Sequence, residues 1–258
     1  MNYDKLYLPK TIMGNMTLII GARCKDGVVL VADKKVTEGN TSIAQDKITI
    51  LPFGVAVSGA GHTDFFDKFS IKLKNYLIQR SAEIEQLKAK KEIPKDSPLY
   101  SYIDEFITDC ETLIVKLRED YREVEPQLHL LMSLRNENNS ELHFIAMDSG
   151  VDSIRKTFKT IGSGSPYADF FLRELWNPNL TMEEMAKIGT FIIDYVSDKK
   201  LDEAVGYGVQ IVKIPDLIPN MKDGEGEIKE FEITDKTKIQ SGVEEFYKKV
   251  KDLKKDLI

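Results

Sequence analysis

Two adjacent β-branched runs near the N-terminus constrain the fold of this chain more than any other feature. Thr17–Cys24 and Gly27–Asp33 have strand-like sequences, and the Asp26-Gly27 dipeptide between them is a strong signal for a tight hairpin. A second strand pair follows at Lys47–Leu51 and Gly54–Ser58. Because hairpins join antiparallel strands, we predict antiparallel sheets rather than a parallel sheet with helical crossovers.

Two later stretches repeat apolar residues every three or four positions, which predicts two amphipathic helices. The residues expected to face a sheet from these helices are Phe66, Phe69, Leu73, Phe106, Cys110 and Leu113. The charged stretch 88–98 contains Pro94 and Pro98, so we expect a helix extension and an exposed loop there.

The second half of the chain continues the alternation of strand pairs and helix pairs. Further strands are predicted at 128–134, 142–147, 157–161, 205–212 and 230–233. Helices are predicted after an N-cap at Ser165, after a capping box formed by Thr181 and Glu184, and over 243–257. This order predicts an α+β fold in which helices cover two stacked sheets on the outside.

Composition excludes several classes of protein. The 258 residues carry a net charge of −6, which argues against a nucleic-acid-binding protein. No apolar run approaches the ~20 residues of a membrane span, and residues 1–10 lack the apolar core of a signal peptide. Two distant cysteines and three scattered histidines predict neither a disulfide framework nor a metal or cofactor site. A cytoplasmic location is expected.

Three polar residues at predicted strand ends form a candidate catalytic group. Thr17 begins a strand, Asp33 ends its partner, and Lys47 begins the next strand. A threonine hydroxyl is a weak nucleophile unless a base takes its proton, and an N-terminal threonine carries that base as its own α-amine. A lysine lowers the pKa values of the hydroxyl and amine, and a backbone N–H such as that of Gly59 can bind an oxyanion. The residues alone favour the simpler interpretation, in which Thr17 is a strand former and the other two are turn residues.

Several sequence blocks, in order, resemble proteasome β-type subunits of the N-terminal nucleophile hydrolase superfamily. These blocks are TLIIGARCKDGVVLVADKKVT from Thr17, DKI from Asp46, GVAVSGAGHTD from Gly54, ELHFIAMDSG from Glu141 and TIGSGSPYADFFL from Thr160. The resemblance runs from Thr17 to about Val212. It implies a four-layer αββα sandwich and threonine peptidase chemistry on peptides or unfolded proteins.

The resemblance also implies a role for each residue of the site. It assigns Thr17 as nucleophile, Asp33 and Lys47 as its activating pair, Gly59 as oxyanion donor, and Ser163 and Asp202 as supporting residues. It further implies assembly as a homo-oligomer or with proteasome-like subunits. The implied domain spans 17–212, between an N-terminal extension or propeptide (1–16) and a C-terminal extension (213–258).

Two positions depart from the family pattern. Val205 stands where the family has a second supporting serine, and Met16 precedes Thr17 where self-cleaving precursors have glycine. With residues 1–16 attached, Thr17 has no free amine. The function expected from the sequence is therefore a threonine peptidase that acts once Thr17 is exposed. The alternatives are an inactive structural or regulatory subunit, or a transpeptidase with the same chemistry.

Overall fold

The computed structural model describes residues 17–38, 41–92, 103–120, 128–135, 139–146, 150–154, 157–216, 229–231 and 248. The strands are β1 Ile19–Cys24, β2 Gly27–Asp33, β3 Lys35–Glu38, β4 Thr41–Ala44, β5 Ile48–Leu51, β6 Val55–Gly61, β7 Leu128–Arg135, β8 Ser140–Ala146, β9 Gly150–Ile154, β10 Phe158–Ile161, β11 Val209–Pro215 and β12 Lys229–Phe231. The helices are α1 Thr63–Ala89, α2 Ile103–Asp120, α3 Ser165–Leu175 and α4 Met182–Asp198.

The strands form two five-stranded sheets and one small hairpin. The first sheet has the order β10-β1-β2-β11-β12, and the second has the order β5-β6-β7-β8-β9. Strands β3 and β4 form the separate hairpin. Every strand pair in the described part of the chain is antiparallel, which confirms the prediction from the hairpin signals.

The two sheets stack face to face, and a helix pair covers each outer face. Strand β2 shows how one sequence serves both sides: Leu30 and Ala32 pack against the second sheet, while Val29 and Val31 pack under α3 and α4. Because both faces are covered, all seven residues of β2 are buried. Helices α1 and α2 cover the second sheet in the same way. The layers are therefore helix, sheet, sheet and helix, and the predicted α+β sandwich is confirmed.

The predicted helix face on α1 and α2 is largely confirmed. Phe69, Leu73 and Cys110 are buried in the core against the second sheet, and Phe66 and Leu113 are partly buried beside them. The side chain of Phe106 lies outside the described residues, as do residues 93–98 of the charged stretch and all but residue 248 of the predicted terminal helix.

Two local predictions were wrong. Gly164, not Ser165, is the N-cap of α3, and no side chain caps that helix. The strand predicted at 205–212 begins only at Val209, because Tyr207 and Gly208 have φ values of +60° and +102°, far from those of an extended strand. The hairpin β3–β4 and strand β9 are further elements that the sequence analysis did not predict. In contrast, the capping box of Thr181 and Glu184 is present at the start of α4.

Both cysteines are free and buried. Burial, with a smaller contribution from Asp26, raises the pKa of the Cys24 thiol to about 12, so this thiol stays protonated and unreactive. Among the described residues, no helix is long and apolar enough to cross a membrane. The same part of the chain contains no group of three His, Cys, Asp or Glu residues that could hold a metal ion.

The core between the two sheets makes a stability prediction. Leu30→Ala should lower the free energy of unfolding by about 2–5 kcal/mol, because a fully buried side chain leaves a cavity between the sheets. Ile71→Ala is the control, since Ile71 on α1 is 59% exposed and its truncation should change stability by no more than ~0.5 kcal/mol. Urea unfolding of both variants measures the difference; equal midpoints would contradict this assignment of the core.

Candidate functional site

The hairpin β1–β2 brings two of the predicted site residues to one edge of the first sheet. Ile19 pairs with Ala32, so Thr17, just before β1, lies beside Asp33 at the end of β2. Lys47 directly precedes β5 in the second sheet and reaches across from there. The site therefore lies where the ends of the two sheets meet, and all three side chains are buried.

The three side chains form one closed hydrogen-bonded group. The Thr17 hydroxyl donates to Asp33 Oδ1 over 2.7 Å. The Lys47 ammonium donates to Thr17 Oγ1 over 2.6 Å and to Asp33 Oδ1 over 2.8 Å. Thr17 Oγ1 thus has a cationic donor on one side and a carboxylate acceptor on the other.

The Asp33 carboxylate is fully buried and is held from several directions. Besides the two side chains, its Oδ1 accepts from the Leu18 N–H at 2.9 Å. Its Oδ2 accepts from the N–H groups of Lys35 at 3.1 Å and Gly206 at 3.2 Å. Because these donors occupy the carboxylate, Asp33 orients Thr17 and Lys47 and joins them to the loop that precedes β11.

Gln210 on β11 and Ser58 on β6 fix the backbone that carries Lys47. Gln210 Oε1 accepts from the N–H groups of both Lys47 and Ile48 at 2.8 Å, and Gln210 Nε2 donates to the Ile48 carbonyl at 2.9 Å. Ser58 Oγ donates to the Lys47 carbonyl at 2.8 Å. Sequence reasoning missed both residues. The available signal was a single amide side chain within the apolar strand V-Q-I-V.

Burial lowers the pKa of the Lys47 ammonium below its usual range, while the carboxylates of Asp33 and Asp202 act in the opposite direction. A lysine in this setting holds its proton less tightly than an exposed one, yet it remains paired with a carboxylate. Lys47 is therefore suited both to stabilise negative charge on Thr17 Oγ1 and to take part in proton movement there.

A turn after β10 holds the main chain of Thr17. The Gly164 N–H donates to the Thr17 carbonyl at 3.2 Å. Gly162 has a φ of +97°, and a Cβ atom there would lie 2.2 Å from the Thr17 carbonyl oxygen. Only glycine permits this close approach, so the turn fixes the backbone of Thr17 from the side opposite β2.

Gly59 lies in the same cleft as Thr17, near the end of β6. The cleft has a volume of about 200 Å³, and both Gly59 and Gly61 line it. A Cβ atom on Gly59 would come within 2.5 Å of the Phe66 ring. The absence of a side chain therefore lets α1 pack closely against the strand and leaves the backbone open towards the cleft.

The two predicted supporting residues are less closely engaged. Ser163 is exposed in the turn after β10, and its hydroxyl makes no hydrogen bond within the described part of the chain. Asp202 accepts from the Ala204 N–H at 2.9 Å, but its buried Oδ2 has no partner among the described residues. Val205 is buried, and it would be 3.1 Å from a Cβ atom on Gly164, beside the turn that holds Thr17.

Comparisons with known proteins find similarity to proteasome subunits. The sequence profile of the proteasome subunit family matches residues 14–93. Proteasome subunit beta 2 of Pyrobaculum neutrophilum is 27% identical over 197 residues, covering 76% of this chain and 87% of that protein. The proteasome subunit beta of Archaeoglobus profundus is 27% identical over 223 residues, covering 84% and 90%.

Solved structures with the same fold include two Anbu (ancestral beta-subunit) proteins. The protein from Yersinia bercovieri superposes with a TM-score of 0.67 at 12% identity. The Gly-1 mutant from Hyphomicrobium sp. strain MC1 superposes with a TM-score of 0.68 at 14% identity. Each comparison covers 92% of this chain and 96% of the other. At these identities the likeness concerns the fold.

The contacts of Gln210 generate a prediction about the site's framework. Gln210→Leu should lower the free energy of unfolding by about 1–3 kcal/mol for each backbone N–H that it leaves buried and unpaired. Gln79→Leu is the control, because Gln79 is exposed on α1. Urea unfolding tests this; an unchanged midpoint for Gln210→Leu would show that water replaces the amide at no cost.

Proposed function

Because the chain is a proteasome β-subunit-like protein of the N-terminal nucleophile hydrolase superfamily, we propose that it is a threonine peptidase with Thr17 as its nucleophile. The observation that carries this proposal is the closed contact of three groups: a hydroxyl, an ammonium at 2.6 Å and a carboxylate at 2.7 Å, all buried beside an open cleft. The same arrangement is what an activated threonine hydroxyl needs.

In the first step, Thr17 Oγ1 attacks a peptide carbonyl, and the free α-amine of Thr17 takes the hydroxyl proton. Lys47 lies close enough to stabilise the developing charge on Oγ1, and Asp33 keeps Lys47 in place. The backbone N–H of Gly59 donates a hydrogen bond to the carbonyl oxygen as that oxygen becomes negative. The tetrahedral intermediate then releases the amine half of the substrate with the proton from the α-amine, and an ester to Thr17 remains.

In the second step, water attacks the ester carbonyl, and the α-amine accepts a proton from that water. Collapse of the intermediate returns the proton to Oγ1 and releases the carboxylic acid. If a second peptide's amine attacks in place of water, the same ester yields a new peptide bond, which is the transpeptidase alternative.

This chemistry requires that the bond between Met16 and Thr17 be absent. Self-cleavage by the family route usually uses glycine before the threonine, whereas methionine has a Cβ that disfavours a strained turn. A second route is translation from Met16, followed by removal of that methionine in front of the small residue Thr17. Residues 1–16 would then be absent from the active protein. Both routes leave Thr17 as the first residue, and N-terminal sequencing and intact mass of protein from its own cells show whether residues 1–16 are present.

A second candidate function is a non-catalytic subunit of a proteasome-like assembly. It is favoured by Val205, which has no hydroxyl to support the amine, and by the partnerless Oδ2 of Asp202 in the described part of the chain.

For both candidate functions we propose a cytoplasmic protein that forms homo-oligomers or assembles with related subunits. The proposed catalytic domain is 17–212, with 1–16 and 213–258 as extensions.

The site generates a prediction for three variants of the chain that begins at Thr17. Thr17→Ala should abolish peptide hydrolysis, and Lys47→Ala should lower kcat/KM by a factor of ~10²–10³, because the charge on Oγ1 loses its donor. Thr17→Ser should keep part of the activity, since hydroxyl and amine both remain. Fluorogenic peptides measure the rates, and an electrophile selective for N-terminal threonine measures labelling.

Circular dichroism and thermal unfolding of each variant serve as controls for folding. The full-length chain is the matched comparison, because its Thr17 amine is part of a peptide bond. If the chain beginning at Thr17 folds yet neither hydrolyses peptides nor takes up the label, the peptidase proposal is wrong and the non-catalytic function replaces it.

A further inference from the structure

The cleft beside Thr17 is unusually polar for a binding site. Its lining contains two apolar side chains, Val36 and Phe66, while the other side chains come from Thr17, Thr37, Gln45, Asp46, Lys47, Thr49, His62, Thr63 and Asp67. Binding clefts are usually lined mainly by apolar groups with a few polar ones. This lining therefore favours a polar substrate side chain.

The charges in this lining leave one carboxylate unbalanced. Lys47 is paired with Asp33 at 2.8 Å, and Asp46 is paired with Lys34 at 2.9 Å. Asp67 has no ion pair or hydrogen bond from its side chain to any described residue. After these pairs are matched, the cleft carries a net negative charge at Asp67, in the second turn of α1.

We propose that the cleft selects peptides with a basic side chain, arginine or lysine, on the residue whose carbonyl Thr17 attacks; this inference rests on the proposed peptidase function. That side chain branches from Cα, the atom bonded directly to the attacked carbonyl carbon. It must therefore enter the space that Thr17 itself lines. Asp67 binds the cationic end.

The same residues disfavour acidic and apolar substrate side chains. A glutamate in the cleft would face Asp67 with like charge and would find Lys47 already paired. A leucine would bury its apolar surface mainly against threonine, glutamine and carboxylate groups, which would lose their water without gaining hydrogen bonds. Arginine and lysine gain a charge-assisted hydrogen bond there.

The experiment uses the full chain as it is isolated from the cells that make it, with three peptides that differ only at this position: arginine, leucine or glutamate. Hydrolysis is measured with a fluorogenic amide directly after that residue. Binding is measured by fluorescence anisotropy in the Thr17→Ala variant, which needs no turnover. We expect the arginine peptide to be preferred in both assays, and the preference to fall as salt rises from ~0.05 to ~0.5 M.

Asp67→Asn tests the assigned residue, and Asp64→Asn is its matched control. Both aspartates are exposed near the start of α1, but only Asp67 lines the cleft. Asp67→Asn should weaken binding and kcat/KM for the arginine peptide about tenfold, the usual range for a hydrogen bond to a charged group, and leave the leucine peptide unchanged. Asp64→Asn should change neither.

The outcomes separate this inference from the proposal on which it rests. If peptides are hydrolysed without preference for arginine, or if Asp67→Asn affects all three peptides alike, the inference is overturned while the peptidase function stands. If neither this chain nor the chain beginning at Thr17 hydrolyses any peptide, but the arginine peptide binds in an Asp67-dependent manner, the peptidase function fails and the cation-binding cleft stands. Preference for leucine or glutamate in the binding assay overturns the inference directly.

Discussion

The buried carboxylate of Asp33 is the interaction on which the site depends. A fully buried charge is costly unless it is paired and hydrogen-bonded, so the surrounding chain must supply donors from every side. Lys47 supplies the opposite charge from the second sheet, Thr17 supplies a hydroxyl, and Gly206 supplies a backbone N–H from the loop before β11. One requirement, satisfying this carboxylate, thus positions the nucleophile, the cation and the loop together.

The stacking of the sheets determines whether Lys47 can meet that requirement. Thr17 and Asp33 belong to the first sheet and Lys47 to the second, so their distances depend on how the sheets are joined. Gln210 joins them directly, because it lies on β11 of the first sheet and bonds the backbone at the start of β5 in the second. Apolar packing between the sheets sets their separation. The Gln210 amide fixes the backbone position of Lys47, directly before β5.

The sequence was sufficient for features that depend on local pattern. Runs of β-branched residues, a hairpin dipeptide and a change to helical period predicted the antiparallel sheets and the helix pairs, and strand ends placed Thr17, Asp33 and Lys47 at one edge. Gln210 could not be predicted in this way, because its partners are backbone groups of another sheet. The loop around Tyr207 was also missed, although the glycines on both sides of it, Gly206 and Gly208, are residues that permit a positive φ.

At position 205, packing favours an apolar side chain, whereas the proposed catalysis favours a polar one. The Val205 side chain fills the space beside Gly164, whose N–H holds the Thr17 carbonyl, so an apolar group there strengthens the turn. A free amine on Thr17 would instead need polar acceptors. Valine at position 205 offers no such acceptor. The Asp202 carboxylate, whose Oδ2 has no partner among the described residues, acts to raise the pKa of Lys47 against the effect of burial. The charge on Asp202 therefore bears on Lys47, while the side chain at position 205 contributes to packing.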